Sequence, residues 1–394
     1  MNRIMLRKLV DESFEWAVEK RHALHRIPEE GFKEFKTQKA ICEALDELGI
    51  PYTTERTWVV GLIEGALPGR TIALRAEMDA LPVPEPKGLP YRSQHEGWMH
   101  ACGHDIHMAI QLGAARILNH FKDQLHGNVK LLFQPAEETE GGGKPMVNAG
   151  VLENPHVDAC YGLHVQSRLP LGTVETRSGT LNASTDEIRL DILGRGGHAA
   201  YPESSVDAIV IAAQIVTALQ TLVSRNVSPL NSVVLSFGIV QGGTAENVIC
   251  DHVVLEGTLR TTDPKQRIFA ITRIDKIARS VAEALGGNSK LTVTEGYAPL
   301  VNHSREAELV LDIARELYGN VHVITKDAPS MGGEDFSYFI EETPGAFYHI
   351  GCTSADRMPA PPLHNKNFAP NEDCIRQGIE MQAAIVLRET GTEI

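Results

Sequence analysis

Four separated segments of the chain carry side chains of the types that bind divalent metals. They are Cys102-Gly103-His104-Asp105, Glu137-Glu138, His164 and His364. Each lies just past a short apolar run or in its last residues, so a fold that gathers the ends of those runs would bring the segments together. Cysteine, histidine and carboxylate are ligands that borderline divalent metals take. The sequence therefore predicts a metal site with a spare carboxylate beside it, an arrangement that indicates hydrolysis.

The first segment places a thiol and an imidazole two residues apart, immediately before a predicted helix. A thiolate at Cys102 and the ring of His104 can both reach one metal ion, and the positive end of a helix favours the ionised thiol. His100 and His107 lie close enough to be rival ligands. The alternative is a buried structural cysteine followed by a histidine that caps the helix.

Glu137 and Glu138 follow an apolar run at 131–133, and a glycine-rich turn comes after them. Neighbouring side chains in extended backbone point in opposite directions. One carboxylate can therefore bind a metal while the other faces a substrate as the general base that an attacking water needs. Paired glutamates on a solvated loop are also common, but the position directly after an apolar run favours a functional pair.

Three further residues complete the candidate site. His164 closes an apolar run, and His364 follows two prolines that restrict its loop. Asp79 comes after an apolar strand, where a carboxylate can orient a metal ligand. Each also has a plain structural explanation. His164 could be a structural histidine at a strand end, His364 could lie in a surface loop, and Asp79 could cap the turn before Pro82. A single catalytic zinc takes three protein ligands and a water, so five candidate ligands favour two ions that share a water or a side chain. The five are Cys102, His104, Glu138, His164 and His364.

The elements that must position these residues alternate between helix and strand. Helical spacing of apolar residues is found at 10–24, 39–48 and 106–121, and short apolar runs at 59–63, 71–76, 129–133 and 159–163 predict strands. This alternation predicts an α/β sheet with helices on both faces. Ligands of such sheets bind outside the carboxyl ends of the strands, which is where Asp79, the two glutamates and His164 lie.

A different pattern begins near residue 185. Strands are predicted at 187–193, 232–240, 248–259 and 290–294, with helices at 206–223 and 266–285. The order β-α-β-β-α-β is typical of an independent antiparallel unit. We therefore expect a smaller domain at 184–297, inserted into a catalytic metal-binding domain that is formed by 1–183 and 298–394. The later part of that domain carries predicted helices at 306–318 and 372–390.

The bulk properties set limits on the partners. A chain of 394 residues exceeds one compact core, so two domains are expected. A formal net charge of −14 argues against nucleic acid or an anionic membrane as a partner. No apolar leader follows the N-terminus, and the most apolar window, 206–219, is too short to span a bilayer. Six scattered cysteines indicate reduced thiols in the cytoplasm.

Taken together, the segments resemble the M20 metallopeptidase family, and within it the aminoacylase and amidohydrolase branch that includes hippurate hydrolase and the plant auxin-conjugate hydrolases. Each matching stretch is weak alone, whereas the ordered set is specific. One departure is Glu77, where this branch usually has aspartate; the extra methylene touches no predicted ligand and bears on geometry rather than reaction type. The stretches are RAEMDALP at 75–82, MHACGHDIHMA at 99–109, FQPAEE at 133–138, GLHV at 162–165, GRGGHAAYP at 194–202, GGTAENVI at 242–249, MGGEDF at 331–336 and PPLHNKNF at 361–368.

The resemblance implies a two-metal α/β/α catalytic domain with an inserted ferredoxin-like lid and dimerisation domain. It implies that the five residues above are the metal ligands, that Glu137 is the general base and that Asp79 orients a ligand. His198 matches a lid histidine that in relatives reaches the partner subunit's site and polarises the scissile carbonyl; the alternative is a turn residue. Four more positions would contact the substrate: Asn247, Arg260, Gly332 and Gly333. The alternatives there are a surface salt bridge for the arginine and an ordinary tight turn for the glycines.

The expected function is that of a cytoplasmic, metal-dependent amidohydrolase that cleaves the amide bond of N-acyl amino acids. It would act on this small-molecule substrate as a homodimer or a dimer-based oligomer, with two ions of zinc, manganese, cobalt or nickel. A carboxypeptidase or dipeptidase on the same scaffold is the first alternative, since one sequence does not give the shape of the acyl-side pocket. The second alternative is a non-catalytic binding protein that keeps the fold. Such a protein would have lost a ligand or the base, and none is lost here.

Overall fold

The computed structural model describes residues 3–393, and the chain divides into two compact units. The first comprises Met1–Leu181, Val301–Ala328 and Asp335–Ile394, and the second Asn182–Leu300 and Pro329–Glu334. The prediction assigned 329–334 to the first domain. In the structure this segment joins the second unit, because the N–H of Ala183 donates to the carbonyl of Ser330 at 2.9 Å. The catalytic and lid roles of the two units remain predictions.

The helices and strands of the described residues are numbered in chain order. They are α1 (Arg3–His25), α2 (Phe35–Leu48), β1 (Tyr52–Glu55), β2 (Trp58–Glu64), β3 (Leu67–Glu77), α3 (His104–His120), β4 (His126–Gln134), α4 (Gly143–Asn148), β5 (Ala159–Pro170), β6 (Val174–Thr176), β7 (Gly179–Asn182), β8 (Asp186–Leu193), β9 (Gly197–His198), α5 (Ala208–Thr221), β10 (Val233–Gly242), β11 (Val248–Ile249), β12 (His252–Thr261), α6 (Pro264–Ala284), β13 (Asn288–Glu295), β14 (Leu300–Asn302), α7 (Ser304–Tyr318), β15 (Val323–Thr325), α8 (Ser337–Glu342), β16 (Gly345–Thr353) and α9 (Asp373–Thr390).

The first unit is built around an eight-stranded mixed sheet with the order β1-β2-β4-β3-β5-β16-β6-β15. Its centre, β4-β3-β5-β16, is parallel, whereas β1, β2 and β4 pair antiparallel at one edge. Every residue of β16 is buried, so both faces of the sheet are covered, as continuous apolar runs in parallel strands require. The predicted α/β class is confirmed, and α3 and α9 pack on β3 and on each other.

Two predicted strands differ from those observed. β5 continues past His164 to Pro170, because residues up to Pro170 pair with β16. The strand predicted at 248–259 is two strands, since the chain turns at Cys250 and Asp251. Their carbonyls accept the N–H groups of Ala208 and Gly194 at 2.9 and 2.8 Å. β11 therefore pairs with β9, while β12 joins the larger sheet of the second unit.

The second unit contains a four-stranded antiparallel sheet with the order β10-β12-β8-β13. The chain order β8-α5-β10-β12-α6-β13 is the predicted β-α-β-β-α-β order. Apolar residues of α5 and α6, among them Ile215 and Ile274, share one buried cluster with Leu190 and Leu255 of the sheet. This unit therefore has a hydrophobic core of its own.

One segment of the described chain, Ala208–Asn226, is long and apolar enough by length and composition to cross a membrane. It extends past the predicted window at 206–219, because a π-helical turn continues α5 to Asn226. A single helix of this kind is weak evidence, since the core helix of a soluble protein passes the same test. Residues such as Ile211 and Leu219 pack into the core of the second unit, which fits an amphipathic helix on a sheet.

Candidate metal centre

All five predicted ligands come together in the first unit, although up to 262 positions separate them in the sequence. Cys102 Sγ lies 3.2 Å from His164 Nε2 and 3.3 Å from His364 Nε2. Glu138 Oε1 lies 3.0 Å from His364 Nε2 and 3.8 Å from His104 Nε2. One sulfur, three ring nitrogens and a carboxylate oxygen therefore converge, which is the donor set that zinc and neighbouring divalent metals accept.

The turn before α3 and the loop of His364 are locked together at this point. Gly103 has φ +88°, and a Cβ there would lie 2.5 Å from Val165 Cγ2, so both the backbone and the space require glycine. His364 also has a positive φ, 63°, which a residue with a side chain adopts rarely. Its N–H donates to the carbonyl of Ala101 at 2.9 Å, and this bond ties the His364 loop to the turn that carries Cys102.

Asp79 anchors two of the ligands. Its backbone carbonyl accepts a hydrogen bond from Nδ1 of His104 at 2.8 Å. Its carboxylate accepts the backbone N–H of Glu138 at 2.9 Å. Asp79 is fully buried, so it holds His104 and Glu138 without meeting solvent, an arrangement that is also found in outer-shell carboxylates of metal sites.

The hydrogen bonds of the histidines test whether a metal fits. His104 Nδ1 donates to a carbonyl, so in the neutral ring the lone pair is on Nε2; among the described residues this nitrogen is buried without a hydrogen-bond partner. His164 Nδ1 donates to the carbonyl of Val165 at 2.6 Å, which points the lone pair of Nε2 at Cys102. The ring nitrogen of His364 faces the same sulfur, and one thiol proton can serve only one of them. A cation would satisfy all three nitrogens.

The electrostatics of the cluster also favour positive charge. Burial, followed by the carboxylates of Glu138 and Glu137, raises the pKa of the Cys102 thiol well above its ordinary value. Burial alone would lower the pKa of His104, but the hydrogen bond to Asp79 and the surrounding carboxylates outweigh it and raise the pKa to about 10. The carboxylates that attract a proton to this ring would equally attract a metal cation to Nε2.

Glu137 lies beside the ligands with its carboxylate largely out of solvent. It is 9% exposed, and one of its oxygens lies within 4.8 Å of ligand atoms of His104 and Glu138. The two glutamates follow β4, as the sequence predicted. The geometry therefore places one carboxylate within the donor cluster and a second immediately next to it.

His107, a rival ligand in the sequence analysis, has both ring nitrogens engaged. Nδ1 donates to Glu77 Oε2 at 2.7 Å, and Nε2 accepts the N–H of Val165 at 2.9 Å. His107 therefore fixes the backbone directly after His164 instead of binding metal. Glu77, the departure from the family pattern, is held between Arg75 and His107, and its hydrogen bonds go to no predicted ligand.

His100, the other rival, also stands apart from the ligands. Its two ring nitrogens are buried without a hydrogen-bond partner in the described part of the chain, and burial lowers its pKa to about 3. Among residues 3–393 it belongs to no group of side chains whose ligand atoms lie within 4.8 Å of one another. His100 is thus a neutral, buried histidine.

We predict that His107→Asn weakens zinc binding by about 10- to 100-fold, the range seen when residues that orient metal ligands are removed. Asparagine keeps a donor near the position of Nδ1 for Glu77 but loses the acceptor for the N–H of Val165, so the backbone after His164 is released. Metal affinity would be measured by competition with a chelator of known affinity. His120→Ala, an exposed histidine of the same helix, is the control. Equal affinities of the two variants would contradict the positioning role.

A buried charged network beneath the site was missed by the sequence analysis. Arg75 is fully buried and contacts Glu77; it also donates to Asp335 Oδ1 at 2.6 Å and to Gln134 Oε1 at 2.8 Å. Asp335 Oδ2 in turn accepts the N–H of Gly143 at 2.8 Å, in the turn after the paired glutamates. The available signal was an arginine inside an otherwise apolar strand, which is rare unless the charge is paired.

The second unit carries the predicted substrate-contacting residues. His198 is exposed in β9, opposite Val248. Its Nδ1 accepts the N–H of Ala200 at 3.1 Å, so Nε2 holds the proton and can donate it in a hydrogen bond. The carbonyl of Asn247 accepts the N–H of Ala199 at 3.0 Å. The fold therefore brings His198 and Asn247 side by side.

Arg260 and Gly333 also lie close together within the second unit. Arg260 lines a cleft of 680 Å³ on the four-stranded sheet, and burial lowers the pKa of its guanidinium. A Cβ on Gly333 would lie 3.7 Å from Arg260 Nη1 and 2.4 Å from Thr185 Cγ2, so the glycine is required by close approach. Gly332 meets nothing nearer than Ser330 Oγ at 3.6 Å, which fits an ordinary turn.

Comparison with known proteins agrees with this architecture. The family model described as peptidase family M20/M25/M40 matches residues 73–388. N-acetyldiaminopimelate deacetylase of Bacillus velezensis is 38% identical over 368 residues, which cover 92% of this chain and 95% of that protein. Thermostable carboxypeptidase 2 of Saccharolobus solfataricus is 34% identical over 388 residues, which cover 97% and 98%. A solved structure from Bacillus subtilis, a dinuclear metal binding peptidase from the M20 family, has a TM-score of 0.85 at 30% identity, covering 97% of this chain and 100% of that one.

The chain belongs to peptidase family M20/M25/M40. It is a metal-dependent enzyme of this hydrolase family, so the resemblance inferred from the ordered motifs is confirmed. The similar proteins include both a deacetylase and a carboxypeptidase. Family membership therefore defines the class of reaction, hydrolysis, and leaves the particular substrate to be proposed.

Proposed function

We propose that the protein is a two-metal amidohydrolase that removes the acyl group from N-acyl amino acids. The observation that carries the proposal is the convergence of five donor side chains with the carboxylate of Glu137 directly beside them. Two ions of zinc, manganese, cobalt or nickel would be held by Cys102, His104, Glu138, His164 and His364. Support for two ions comes from the similar Bacillus subtilis structure, which is described as dinuclear.

When bound, the metals would polarise the scissile carbonyl and make the attacking water more acidic. The residues of this chain would transfer the proton and hold the ligands in place. Glu137 accepts the proton of the attacking water on its carboxylate, holds it through the tetrahedral stage and returns it to the departing amine. Asp79 keeps His104 and Glu138 in place while charge builds at the carbonyl oxygen.

Substrate contacts would come from residues of the second unit, as the resemblance implies, and His198 would act at the partner subunit's site. His198, whose Nε2 carries a proton, would donate a hydrogen bond to the carbonyl oxygen as it becomes negative. Asn247 and Arg260 would bind the α-carboxylate of the substrate, and Gly332 and Gly333 would let the backbone approach it. A half-buried guanidinium suits that role because it forms two parallel bonds to a carboxylate.

The experiment that tests this function is a substrate panel combined with metal analysis. Purified protein is loaded separately with zinc, manganese, cobalt and nickel, and its metal content is measured. N-acetyl and N-benzoyl amino acids, N-acetyldiaminopimelate and dipeptides are then compared by kcat/KM. Preference for the N-acyl amino acids supports the proposal. Absence of turnover with every substrate and metal would overturn the proposal.

A carboxypeptidase or dipeptidase is the second candidate, favoured by the similarity to thermostable carboxypeptidase 2. Both reactions cleave an amide next to a free carboxylate, so the same metal ligands and the same base would serve each. The two classes of substrate differ on the acyl side of the amide, which bears an amino group in a dipeptide and only carbon substituents in an N-acyl amino acid. The panel separates them, because dipeptides would then exceed N-acyl amino acids in kcat/KM.

We propose further that the protein is a homodimer joined through the second unit. β10 is an edge strand of the four-stranded sheet, and its Val240 is 65% exposed. Ile209 and Val210 of α5 are also exposed, and a Cβ on Gly243 would lie 3.7 Å from Ile209 Cδ1, so the helix start and the strand end form one apolar surface. An open apolar edge of this kind is normally covered. The six free cysteines fit the reducing cytoplasm that is part of the same proposal.

We predict that Val240→Asp converts the dimer to monomers, because a charge in the strand edge has no partner in a self-complementary interface. Light scattering coupled to size-exclusion chromatography would report half the mass of the wild type at the same concentration. Val321→Asp, which places the same charge on a valine of the first unit that is 90% exposed, is the matched control. If both variants elute with the wild-type mass, this surface is not the interface.

A further inference from the structure

A buried carboxyl group of the first unit has no part in the site described above. Glu34 directly precedes α2 and is 0% exposed. Its Oε1 accepts the backbone N–H of Ala136 at 2.9 Å, across 102 positions of the sequence. Ala136 is the residue immediately before Glu137. The carboxyl of Glu34 therefore holds the backbone of the residue that directly precedes the proposed general base.

The backbone at Ala136 needs such support. Its φ is 56°, a left-handed conformation that a residue with a Cβ rarely adopts. Residues in such conformations persist when their surroundings hold them, and they cluster at functional sites. The N–H of Ala136 is held by Glu34, and its carbonyl accepts the N–H of Gly141 at 2.9 Å. Both polar groups of this alanine are thus fixed at the start of the turn that carries Glu137.

The segment that carries Glu34 also touches this turn directly. A Cβ on Gly31 would lie 2.2 Å from Thr139 Oγ1 and 2.9 Å from Ala136 Cα. Residues 31–34 therefore form a seat, defined here as the backbone of 31–34 with the carboxyl of Glu34, on which the turn at 136–139 rests. Glu138 has a separate anchor, since its N–H donates to Asp79, so the bond from Glu34 acts on the side of the turn that precedes Glu137.

We propose that Glu34 is a positioning residue for Glu137. By accepting the N–H of Ala136 it fixes the direction in which the backbone presents the Glu137 carboxylate to the attacking water. The inference rests on the proposed function, in which Glu137 is the base. A displacement of about 1 Å at a reacting group can cost on the order of 100-fold in rate, so a bond one residue away from the base can control kcat without touching the substrate.

The charge state of Glu34 does not alter this role. Burial, with the negative charge of Asp79, raises its pKa to about 7. An ionised carboxylate and a neutral carboxylic acid both keep an acceptor oxygen for the N–H of Ala136. The hydrogen bond therefore persists across the neutral pH range.

The test is a pair of substitutions that separate this bond from helix support. Glu34→Asp keeps the carboxyl, and aspartate is a favoured residue at the start of a helix, but the shorter side chain withdraws the acceptor from Ala136. We expect kcat to fall at least tenfold, with KM within about twofold and wild-type metal content. Glu34→Gln keeps the reach of the acceptor and is expected to restore kcat to within about threefold of the wild type.

Glu29→Asp is the matched control. The Glu29 carboxylate accepts the N–H groups of Lys36 and Thr37 at 2.9 Å at the start of α2, so withdrawing this acceptor should lower the unfolding temperature and leave kcat unchanged. Wild-type kcat in Glu34→Asp would overturn the inference.

Amide hydrogen exchange over 134–141 gives a readout that needs no substrate, and it should be faster in Glu34→Asp. If the wild type turns over nothing in the panel, the proposed function fails, and unchanged exchange would then separately overturn the role of Glu34.

Discussion

Replacing Glu137 with glutamine is expected to lower kcat about 10³-fold, within the range that general acid–base catalysis supplies, while the folded protein keeps its full metal content. An amide of the same shape cannot take the proton of the attacking water or return it to the leaving amine. The ligand His104 and the anchor Asp79 make their contacts without Glu137. Metal binding should therefore survive. The measurements are kcat on the best substrate of the panel, metal content by mass spectrometry and the unfolding temperature.

Glu140→Gln is the control for that experiment. Glu140 is exposed, lies three residues further along the same turn and loses the same charge on substitution. It should keep wild-type kcat. Turnover by Glu137→Gln above about a tenth of the wild-type value would remove Glu137 from the role of base, since that role supplies at least about 100-fold. Loss of metal together with activity would make Glu137 a ligand instead.

The identities of the candidate ligands could be predicted from the sequence because each follows or closes an apolar run. In a parallel sheet the carboxyl ends of the strands share one edge, so residues after β3 and β4 had to meet. The sequence could not show which histidine nitrogens are free to bind a metal and which are already used in hydrogen bonds. His107 is a histidine near Cys102, as His104 is, yet hydrogen bonds to Glu77 and Val165 use both of its ring nitrogens.

The order of the strands in the sheet could not be predicted from the sequence either. Apolar runs predict that β3, β4 and β5 exist, but only pairing places β3 between the other two. The extension of β5 beyond His164 has the same origin, because it depends on β16, almost two hundred residues later. Long-range pairing of this kind leaves no periodic trace in the strand itself, whereas the alternation of 187–193 was enough to predict β8.

The seat under the turn at 136–139 was missed for a related reason. Glycine marks left-handed backbone in a sequence, as at Gly103, but an alanine with φ 56° leaves no mark. Glu34 also looks like any acidic residue that precedes a helix. Its role depends entirely on the hydrogen bond with Ala136, so only the folded chain reveals that role.

Cys102 is the predicted ligand whose chemistry depends most on a metal. Burial and the carboxylates of Glu138 and Glu137 raise the pKa of its thiol, so the sulfur stays protonated unless a positive charge arrives. Metal binding at this sulfur would therefore require the thiol to lose its proton. The largest causes of the pKa shift at this thiol are burial and carboxylates, whereas a cysteine activated as a nucleophile has a neighbouring positive charge that lowers its pKa.

Cys102→Ala is therefore expected to lose at least half of the bound metal and to lower kcat/KM by 10³-fold or more, on the order of a complete loss of metal-assisted catalysis. Alanine removes the sulfur that two histidine nitrogens approach at 3.2 and 3.3 Å, so both would lose the cation that this sulfur would help to hold. Cys160→Ala, which truncates another fully buried cysteine inside β5, should keep its metal and its activity. Metal analysis and kinetics after dialysis against excess zinc measure both effects. Full metal content in Cys102→Ala would mean that this cysteine packs the turn before α3 and does not bind the ions.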